Sequence, residues 1–451
     1  MNDNYFELRQ HSLLKENYEK LFTASQNVAF RGVTVNTRLL SCSDFFKLVP
    51  FHIKPSGFAP NSFCVLDENV KLGVLPLYHA GAYYVQEPSA SSAASILNIE
   101  KDDLVLDLCA APGGKSAQLA AKLNGSGLLF CNEFVKSRSQ ILLSNMERMA
   151  AENVVILNEE PRRLSQKLPE FFDKILVDAP CSGEGMFRKE PQAVAQHSEA
   201  LVKSCAALQI EILDAAAAML KNGGEMVYST CTFSPNEDEG NVKLFLDNHK
   251  DFSLISTNAY FGCGGHKSFC INGDFDTTLV TRIYPCHGGE GHFIAKFKKN
   301  GDIQKFDAGS VKGDAKPKEY SEFIKKYFPT LENREIRVSN GNILILPKFS
   351  FPRLNGLNVL RAGVAAGSIE KGRFMPHHAL FKAFGTECVN ILSLKSGDER
   401  INKYLKGEEI SDETSENGFV SIVLEGIPLG FGKKSSDTVK NHYPKGLRNL
   451  K

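Results

Sequence analysis

Tryptophan is absent from this chain of 451 residues, and none of its 11 cysteines stands in a C-x-x-C spacing. An odd number of thiols scattered over a long chain argues against a disulfide framework, and the missing spacing argues against a zinc ribbon or finger. Most of these cysteines read as small buried hydrophobes. No apolar run approaches the ~20 residues that a membrane span needs, DAAAAML at 214 to 220 being among the longest. The opening residues, MNDNYFELRQHSLLKE, show no signal-peptide pattern, so the expected location is the cytoplasm, with no membrane partner. Disorder bias is missing too, with 42% hydrophobic and 23% charged residues.

At roughly 100–200 residues per domain, the length predicts two to four domains. The net charge of +1 hides an asymmetry: residues 1 to 300 hold 29 Lys and Arg against 34 Asp and Glu, and residues 301 to 451 hold 24 against 18. An acidic body with a basic C-terminal part points to a polyanionic partner. Residues 1–100 read as a small α+β lead-in domain, with strand-like pieces VAFRGVTVN, SFCVL and VKLGVLPLY and a helix start at PSASSAASIL. From 101 to 299 strands alternate with helices of ~10–15 residues, which predicts a doubly wound parallel sheet of the Rossmann-like α/β class. Residues 300–320, rich in Lys, Gly and Asp, read as a linker. A small α+β subdomain (321–380), with a hairpin turn at Asn340 and Gly341, and a β-rich region (381–451) complete the chain.

The strongest local signal is VLDLCAAPGGKSAQLA, 105 to 120, in which a strand ends at Asp107 and a helix begins near Lys115. Small residues and Gly113 and Gly114 would let backbone N–H groups approach a ligand at the strand's carboxyl end. The spacing is neither G-x-G-x-x-G nor G-x-x-x-x-G-K-[ST]. That disfavours dinucleotide and triphosphate cradles and suits an amino-acid-tailed adenosine such as S-adenosylmethionine. Glu133, ending the next strand in LFCNE, stands where an acid accepts hydrogen bonds from ribose hydroxyls.

Two later strands each deliver a cysteine just past their ends, ILVDAPCSGEGMFR at 175 to 188 and MVYSTCTF at 226 to 233. Asp178, Ala179, Pro180 and Cys181 stand where enzymes methylating exocyclic amines carry an Asp/Asn-Pro-Pro-aromatic loop. An amine has a lone pair, whereas carbon 5 of a pyrimidine becomes nucleophilic only after a thiolate adds to carbon 6. A base must then remove the proton at carbon 5. Two thiols and one carboxylate meet these needs, with Asp178 placed to hydrogen-bond the exocyclic amine and ring nitrogen 3.

On these motifs the chain resembles the RNA cytosine-5 methyltransferases of the NOL1/NOP2/sun family, over nearly its whole length. The resemblance implies that Cys109, Ala110, Ala111, Pro112, Gly113, Gly114 and Lys115 form the S-adenosylmethionine loop, with Lys115 also counted among the catalytic groups. By it Glu133 is the ribose acid, Asp178 a contact shared by cofactor and cytosine, Cys231 the nucleophile and Cys181 the thiol that helps release product. The family's adenine acid is an Asp, whereas this chain has LNEEPRRL; the usual interval back from Asp178 falls on Glu160, with Asn158 and Glu159 as alternatives. RIYPCHGGEGHFIAKF, 282 to 297, is similar to the family's closing strand, so Cys286, His287 and His292 are not expected to hold a metal. RGVTVNTRLL and YYVQEPSASS resemble the lead-in domain; there Tyr83 and Tyr84 either stack on a base or are buried core. The C-terminal part is similar to a PUA-like RNA-binding domain, whose last 20 residues hold six Lys or Arg with His442 and Tyr443 interleaved, for phosphate contact and stacking. The implied partner is RNA, most closely 16S rRNA or the small ribosomal subunit, and the expected state is a monomer. Rival readings are the same chemistry on tRNA, an RNA-binding assembly factor, and a nicotinamide oxidoreductase, the last opposed by the missing dinucleotide fingerprint.

Overall fold

The computed structural model describes residues 5–24, 28–271, 273–302, 312–349, 351 and 354–449. Two short helices, α1 (Tyr5–Leu14) and α2 (Tyr18–Phe22), lead in. An antiparallel sheet follows, of β1 (Gly32–Val35), β2 (Ile53–Pro55), β3 (Ser62–Val65) and β4 (Tyr83–Val85), in the order β2-β3-β1-β4. Helix α3 (Cys42–Leu48) is capped by Ser41, whose hydroxyl accepts the Asp44 N–H at 3.1 Å. VKLGVLPLY does not form the expected strand: Leu72–Val74 is a 3₁₀ turn and Pro76–His79 is helix α4. Pro76 has no N–H for a sheet ladder and occupies a first helical turn, where none is needed. Tyr83 and Tyr84 are both buried, the Tyr83 hydroxyl donating to the Leu72 carbonyl at 2.7 Å. The core alternative holds for both.

After α5 (Ser92–Ile96) come β5 (Leu104–Asp107), α6 (Gly114–Leu123), β6 (Leu128–Asn132), α7 (Lys136–Arg148), β7 (Val154–Leu157), α8 (Pro161–Lys167) and β8 (Phe172–Asp178). The second half runs α9 (Pro191–Gln196), α10 (Glu199–Met219), β9 (Leu220–Thr230), α11 (Glu239–Asn248), β10 (Phe252–Ile255), β11 (Thr281–Ile283) and β12 (His292–Lys299). Strands β5 to β9 are parallel in the order β7-β6-β5-β8-β9, and β12 and β10 extend the sheet antiparallel. Alternate residues feed two cores: Leu106, Phe130, Ile175 and Tyr228 on one face, Val105, Leu129, Leu176 and Val227 on the other. The doubly wound expectation holds, because strands covered on both faces must be apolar throughout. The chain order reverses between β5 and β8, where ligands bind beyond the strand ends in such sheets.

The 101–299 segment does not supply the whole sheet. Part of the expected linker, 303–311, lies outside the described residues; its end already packs, Asp314 accepting the Val338 N–H at 2.7 Å, and α12 (Lys318–Tyr327) begins inside it. The hairpin of β13 (Ile336–Ser339) and β14 (Asn342–Ile345) turns through Asn340 and Gly341, both at positive φ as a two-residue turn requires. Then β15 (Val359–Ala362) crosses to pair antiparallel with β7, Val359 opposite Leu157, as the ninth strand. The chain continues through β16 (Val364–Glu370), β17 (Arg373–Pro376) and α13 (His378–Phe384), the helix straddling the boundary expected at 380.

The C-terminal sheet comprises β18 (Ile391–Leu394), β19 (Ile410–Ser411), β20 (Gly418–Leu424), β21 (Ile427–Ser435) and β22 (Thr438–Asn441), with α14 (Glu399–Lys406) against it. It shares one core with the N-terminal domain: Leu77 and Tyr83 join Tyr404, Leu429 and Tyr443. The expected stacking role of Tyr443 is therefore overturned, since its ring is 3% exposed and its hydroxyl contacts His79 Nδ1 at 2.9 Å. Lys434 is also buried, donating to the Ser415 carbonyl at 2.6 Å, which leaves Lys433, Lys440 and Lys445 as the exposed tail cations among the described residues. Tyr443→Ala should empty this junction and lower stability by roughly 3–5 kcal/mol, the cost of a buried aromatic, read as a drop in the denaturation midpoint. An unchanged midpoint would mean that the two domains do not depend on each other.

Candidate active site

Beyond the ends of β5, β6, β8 and β9 lies a cleft of about 950 Å³. The loop after β5 threads between neighbouring strand ends: the Leu108 N–H donates to the Leu176 carbonyl at 3.0 Å and the Ala110 N–H to the Asn132 carbonyl at 2.8 Å. Arg138 donates to the Ala111 carbonyl and Asn145 to the Pro112 carbonyl, each at 2.8 Å. Leu108, Cys109 and Ala111 line the cleft; Ala110, Pro112, Gly113, Gly114 and Lys115 do not stand in its wall. The two glycines answer a packing constraint. A Cβ on Gly113, whose φ is +114°, would lie 3.2 Å from Leu142, and one on Gly114 3.0 Å from the Tyr84 ring. Behind the loop, Asp107 is fully buried with one oxygen held by the Ser116 hydroxyl at 2.6 Å, and burial pushes its carboxyl up to about 7.

Glu133 sits in the wall at the end of β6, only 4% exposed, its carboxylate accepting the Val135 N–H at 2.8 Å. Next to it Phe134 presents a 65% exposed ring to the cleft. The loop after β7 separates the three candidates for the second acid. Asn158 points away to bind the carbonyls of Glu133 and Phe134 at 2.7 Å each, Glu159 is buried beside Arg163, and Glu160 stands in the wall.

Strands β8 and β9 pair with Asp178 opposite Ser229, so Cys181 and Cys231 leave adjacent strand ends. Their sulfur atoms lie 3.2 Å apart in the cleft wall, and the Cys231 N–H points at Cys181 Sγ from 3.4 Å. The hydrogen bond to Cys231, together with burial, pushes the Cys181 thiol well up. Asp178 is held by Lys115 Nζ at 2.7 Å on one oxygen and by the Ser229 hydroxyl at 2.8 Å on the other. Burial alone would raise its carboxyl, but the Lys115 ammonium and then His292 outweigh it and hold the group below the usual carboxylate range. Lys115 is correspondingly raised, Asp178 overcoming its desolvation.

Four groups around the site were not singled out from the sequence. Ser229 follows from strand period alone, two residues before Cys231. His292, 3.7 Å from Asp178, was weighed only as a metal ligand. Cys286 is exposed, His287 accepts the Tyr284 N–H at 3.0 Å, and no group of three or more His, Cys, Asp or Glu among the described residues could hold a metal. Glu237 accepts the Ser182 N–H at 2.8 Å and its hydroxyl at 2.5 Å, and Glu184 accepts the Phe233 N–H at 3.0 Å. Nothing in the local spacing announces either glutamate, because both act between loops about 50 residues apart.

Sheet order and cleft together define a Rossmann-like methyltransferase. Four family models match in succession: the N-terminal domain of 16S rRNA methyltransferase RsmF at residues 2–88, 16S rRNA methyltransferase RsmB/F at 94–298, the RsmF rRNA methyltransferase first C-terminal domain at 322–384 and the methyltransferase RsmF PUA domain at 392–449. The chain belongs to the RsmB/F family of 16S rRNA methyltransferases, S-adenosylmethionine-dependent enzymes that act on RNA. It is 29% identical over 443 residues to ribosomal RNA small subunit methyltransferase F of Shewanella piezotolerans, covering 92% of this chain and 90% of that protein. To the protein of the same description in Cronobacter sakazakii it is 28% identical over 450 residues, covering 95% and 92%. Among solved structures, a methyltransferase homolog from Pyrococcus horikoshii superimposes with a TM-score of 0.58 at 29% identity, over 65% of this chain and 94% of that one.

The Lys115 and Asp178 pair makes a pH-dependent contribution to stability. Because the Asp178 carboxyl is depressed in the folded state, the contribution is full above the ordinary carboxylate range and is lost as pH falls through the folded value. Lys115→Met should cost roughly 1–3 kcal/mol near neutrality, the penalty of leaving a part-buried carboxylate without its partner. The gap to the unaltered protein should narrow as pH falls through the ordinary carboxylate range, where Asp178 of the variant takes up a proton and no longer needs a partner while that of the unaltered protein stays ionised. Denaturation midpoints taken from about pH 3 to 8 check this; a gap independent of pH would show that the pair is not the source.

Proposed function

We propose that this enzyme transfers a methyl group from S-adenosyl-L-methionine to carbon 5 of a cytosine in 16S rRNA, through a covalent bond between Cys231 and carbon 6. The observation that carries the reading is the thiol pair, 3.2 Å apart in one cleft with Asp178. An amine methyltransferase has no use for two sulfur atoms there, and neither has a protein that only binds RNA. Membership of a 16S rRNA family favours rRNA as the substrate. We read the protein as a cytoplasmic monomer acting on rRNA or the small subunit; no helix among the described residues is long and apolar enough to cross a membrane.

The wall of the cleft suits the cofactor in its chemistry. The buried Glu133 carboxylate offers oxygens to two ribose hydroxyls, the open Phe134 ring offers an apolar face to a purine, and Glu160 can accept from an exocyclic amine. Cys109 and Ala111 would line the amino-acid side, with Ala110, Pro112, Gly113 and Gly114 shaping the loop behind them. When bound, S-adenosylmethionine supplies an electrophilic methyl group.

Cys231 gives up its thiol proton to solvent and Sγ adds to carbon 6 as nitrogen 3 takes up a proton, which makes carbon 5 nucleophilic. Asp178, kept ionised by Lys115, accepts hydrogen bonds from the cytosine amine and from protonated nitrogen 3, stabilising the charge that addition creates. Once carbon 5 carries the methyl group, its proton passes to solvent water, and the electron pair left behind re-forms the 5,6 double bond as the bond from carbon 6 to Cys231 Sγ breaks. Cys181 retains its own proton and donates a hydrogen bond to the departing sulfur. The target base must leave any helix to reach the thiols.

Cys231→Ala should abolish both methylation and the covalent RNA adduct. Cys181→Ala should still attack and release slowly, so that a protein–RNA complex stable to a denaturing gel accumulates. Adduct build-up in Cys231→Ala and its loss in Cys181→Ala would reverse the two roles. For the cofactor, Glu133→Ala should weaken S-adenosylmethionine binding by roughly 1.5–3 kcal/mol, the range for a lost charged hydrogen-bond partner. Calorimetry that finds the affinity unaltered would remove Glu133 from the site.

A further inference from the structure

Helix α1 lies outside the lead-in sheet and packs on the two cysteine loops. Its Phe6 joins Phe22, Phe187, Phe233 and Tyr284 in one aromatic cluster, which brings Arg9 and Gln10 against the loops that follow β8 and β9. Arg9 Nη2 donates to both oxygens of Glu184 at 2.7 Å, and the Glu184 side chain is wholly buried. Gln10, also fully buried, donates to the Phe233 carbonyl at 3.1 Å.

Glu184 stands three residues beyond Cys181, and Phe233 two beyond Cys231. The Glu184 carboxylate accepts the Phe233 N–H at 3.0 Å and faces His197 Nε2 at 2.9 Å, while the neighbouring Gly185 N–H donates to the Cys231 carbonyl at 2.8 Å. Both backbone groups of Phe233 are thus held, the N–H by Glu184 and the carbonyl by Gln10. A carboxylate without water stays charged only beside a countercharge, and burial by itself would neutralise Glu184; His197 and Arg9 hold its carboxyl low. Without Arg9 the charged acceptor for the Phe233 N–H is weakened, and the Cys231 loop loses one of the bonds that brace it to the Cys181 loop, the Gly185 N–H to the Cys231 carbonyl and the Ser182 hydroxyl to Thr232 remaining.

The geometry points to Arg9 as a positioning residue: through Glu184, helix α1 sets the reach of Cys231 toward Cys181 and toward the cytosine. The inference rests on the reading of Cys231 as nucleophile and Cys181 as releasing thiol. Arg9 touches neither sulfur, and its effect is confined to the thiol step. Cofactor binding, at the ends of β5 and β6, does not depend on it.

The experiment uses full-length protein in the Cys181→Ala background, where the adduct accumulates, with a 16S rRNA transcript and S-adenosylmethionine. Adding Arg9→Met should slow adduct formation at saturating RNA by roughly tenfold to a hundredfold, the scale of small misplacements of reacting groups. The RNA concentration for half-saturation and the calorimetric affinity for S-adenosylmethionine should stay unchanged, and Arg9→Lys should recover part of the rate. An adduct rate equal to that of Cys181→Ala alone overturns the proposal. So does a change confined to RNA half-saturation, which would make Arg9 an RNA contact. If Arg9→Met does not fold, Glu184→Gln replaces it; that variant keeps an oxygen for the Phe233 N–H but offers no charge to Arg9, and an undiminished rate in it overturns the proposal equally. Failure of the underlying reading is seen separately, with Arg9 intact: an adduct in Cys231→Ala, or none in Cys181→Ala, removes the thiol assignment and this inference with it.

Discussion

The register of one pair of parallel strands governs the site. Asp178 on β8 lies opposite Ser229 on β9, and both cysteines are counted from that match. A slip of one residue would turn Asp178 to the other face of the sheet and carry it away from Lys115. Strand β12 pins β9 from its other side, Phe293 opposite Thr230, which sets His292 beside Asp178. The chemistry therefore hangs from three neighbouring strand ends, two parallel and one antiparallel, whose relative height is fixed by backbone hydrogen bonds before any side chain contributes.

Beyond the strand ends polar pairing joins apolar packing. Glu184 is matched by Arg9 and His197, Asp178 by Lys115, and Glu239 by the buried Arg282. Glu237 makes no ion pair among the described residues; it accepts from Ser182 and Gln209, and burial pushes its carboxyl up. Loops that must leave a cleft open to a nucleotide cannot be secured by filling that cleft with side chains. Directional bonds to buried carboxylates fix them from behind instead, and a charge left unpaired there would cost several kcal/mol.

How much could be read in advance depended on the range of the interaction. Strands covered on both faces show as continuous apolar segments, so LVLDL, FDKILVD and the helices between them were legible. The two cysteines and Asp178 were legible because strand ends in such sheets converge. Short-range signals also located the Asn340 and Gly341 turn. The third lead-in strand failed because VKLGVLPLY looks apolar enough for a sheet while Pro76 starts a helix. Tyr443 and Lys434 looked like surface RNA contacts from composition, but the core that Tyr443 belongs to is built with residues hundreds of positions earlier, and Lys434 turns inward to the Ser415 carbonyl. The same distance hid Arg9 and Glu184, 175 residues apart. Nor did the glycines of the β5 loop disclose that their missing side chains leave room for Leu142 and Tyr84.

Strand β15 gives the catalytic sheet an unusual order of completion during synthesis. The outer edge of β7 ends at Leu157, and its partner begins at Val359, about 200 residues later. At ~5–20 residues per second a ribosome needs on the order of 10–40 s to cover that interval. Throughout it β7 offers an unpaired apolar ladder, the kind of edge that recruits foreign strands. The nascent chain is thus exposed longest at the edge that β15 later covers, and the segment that closes the gap arrives only after both cysteine loops have left the ribosome.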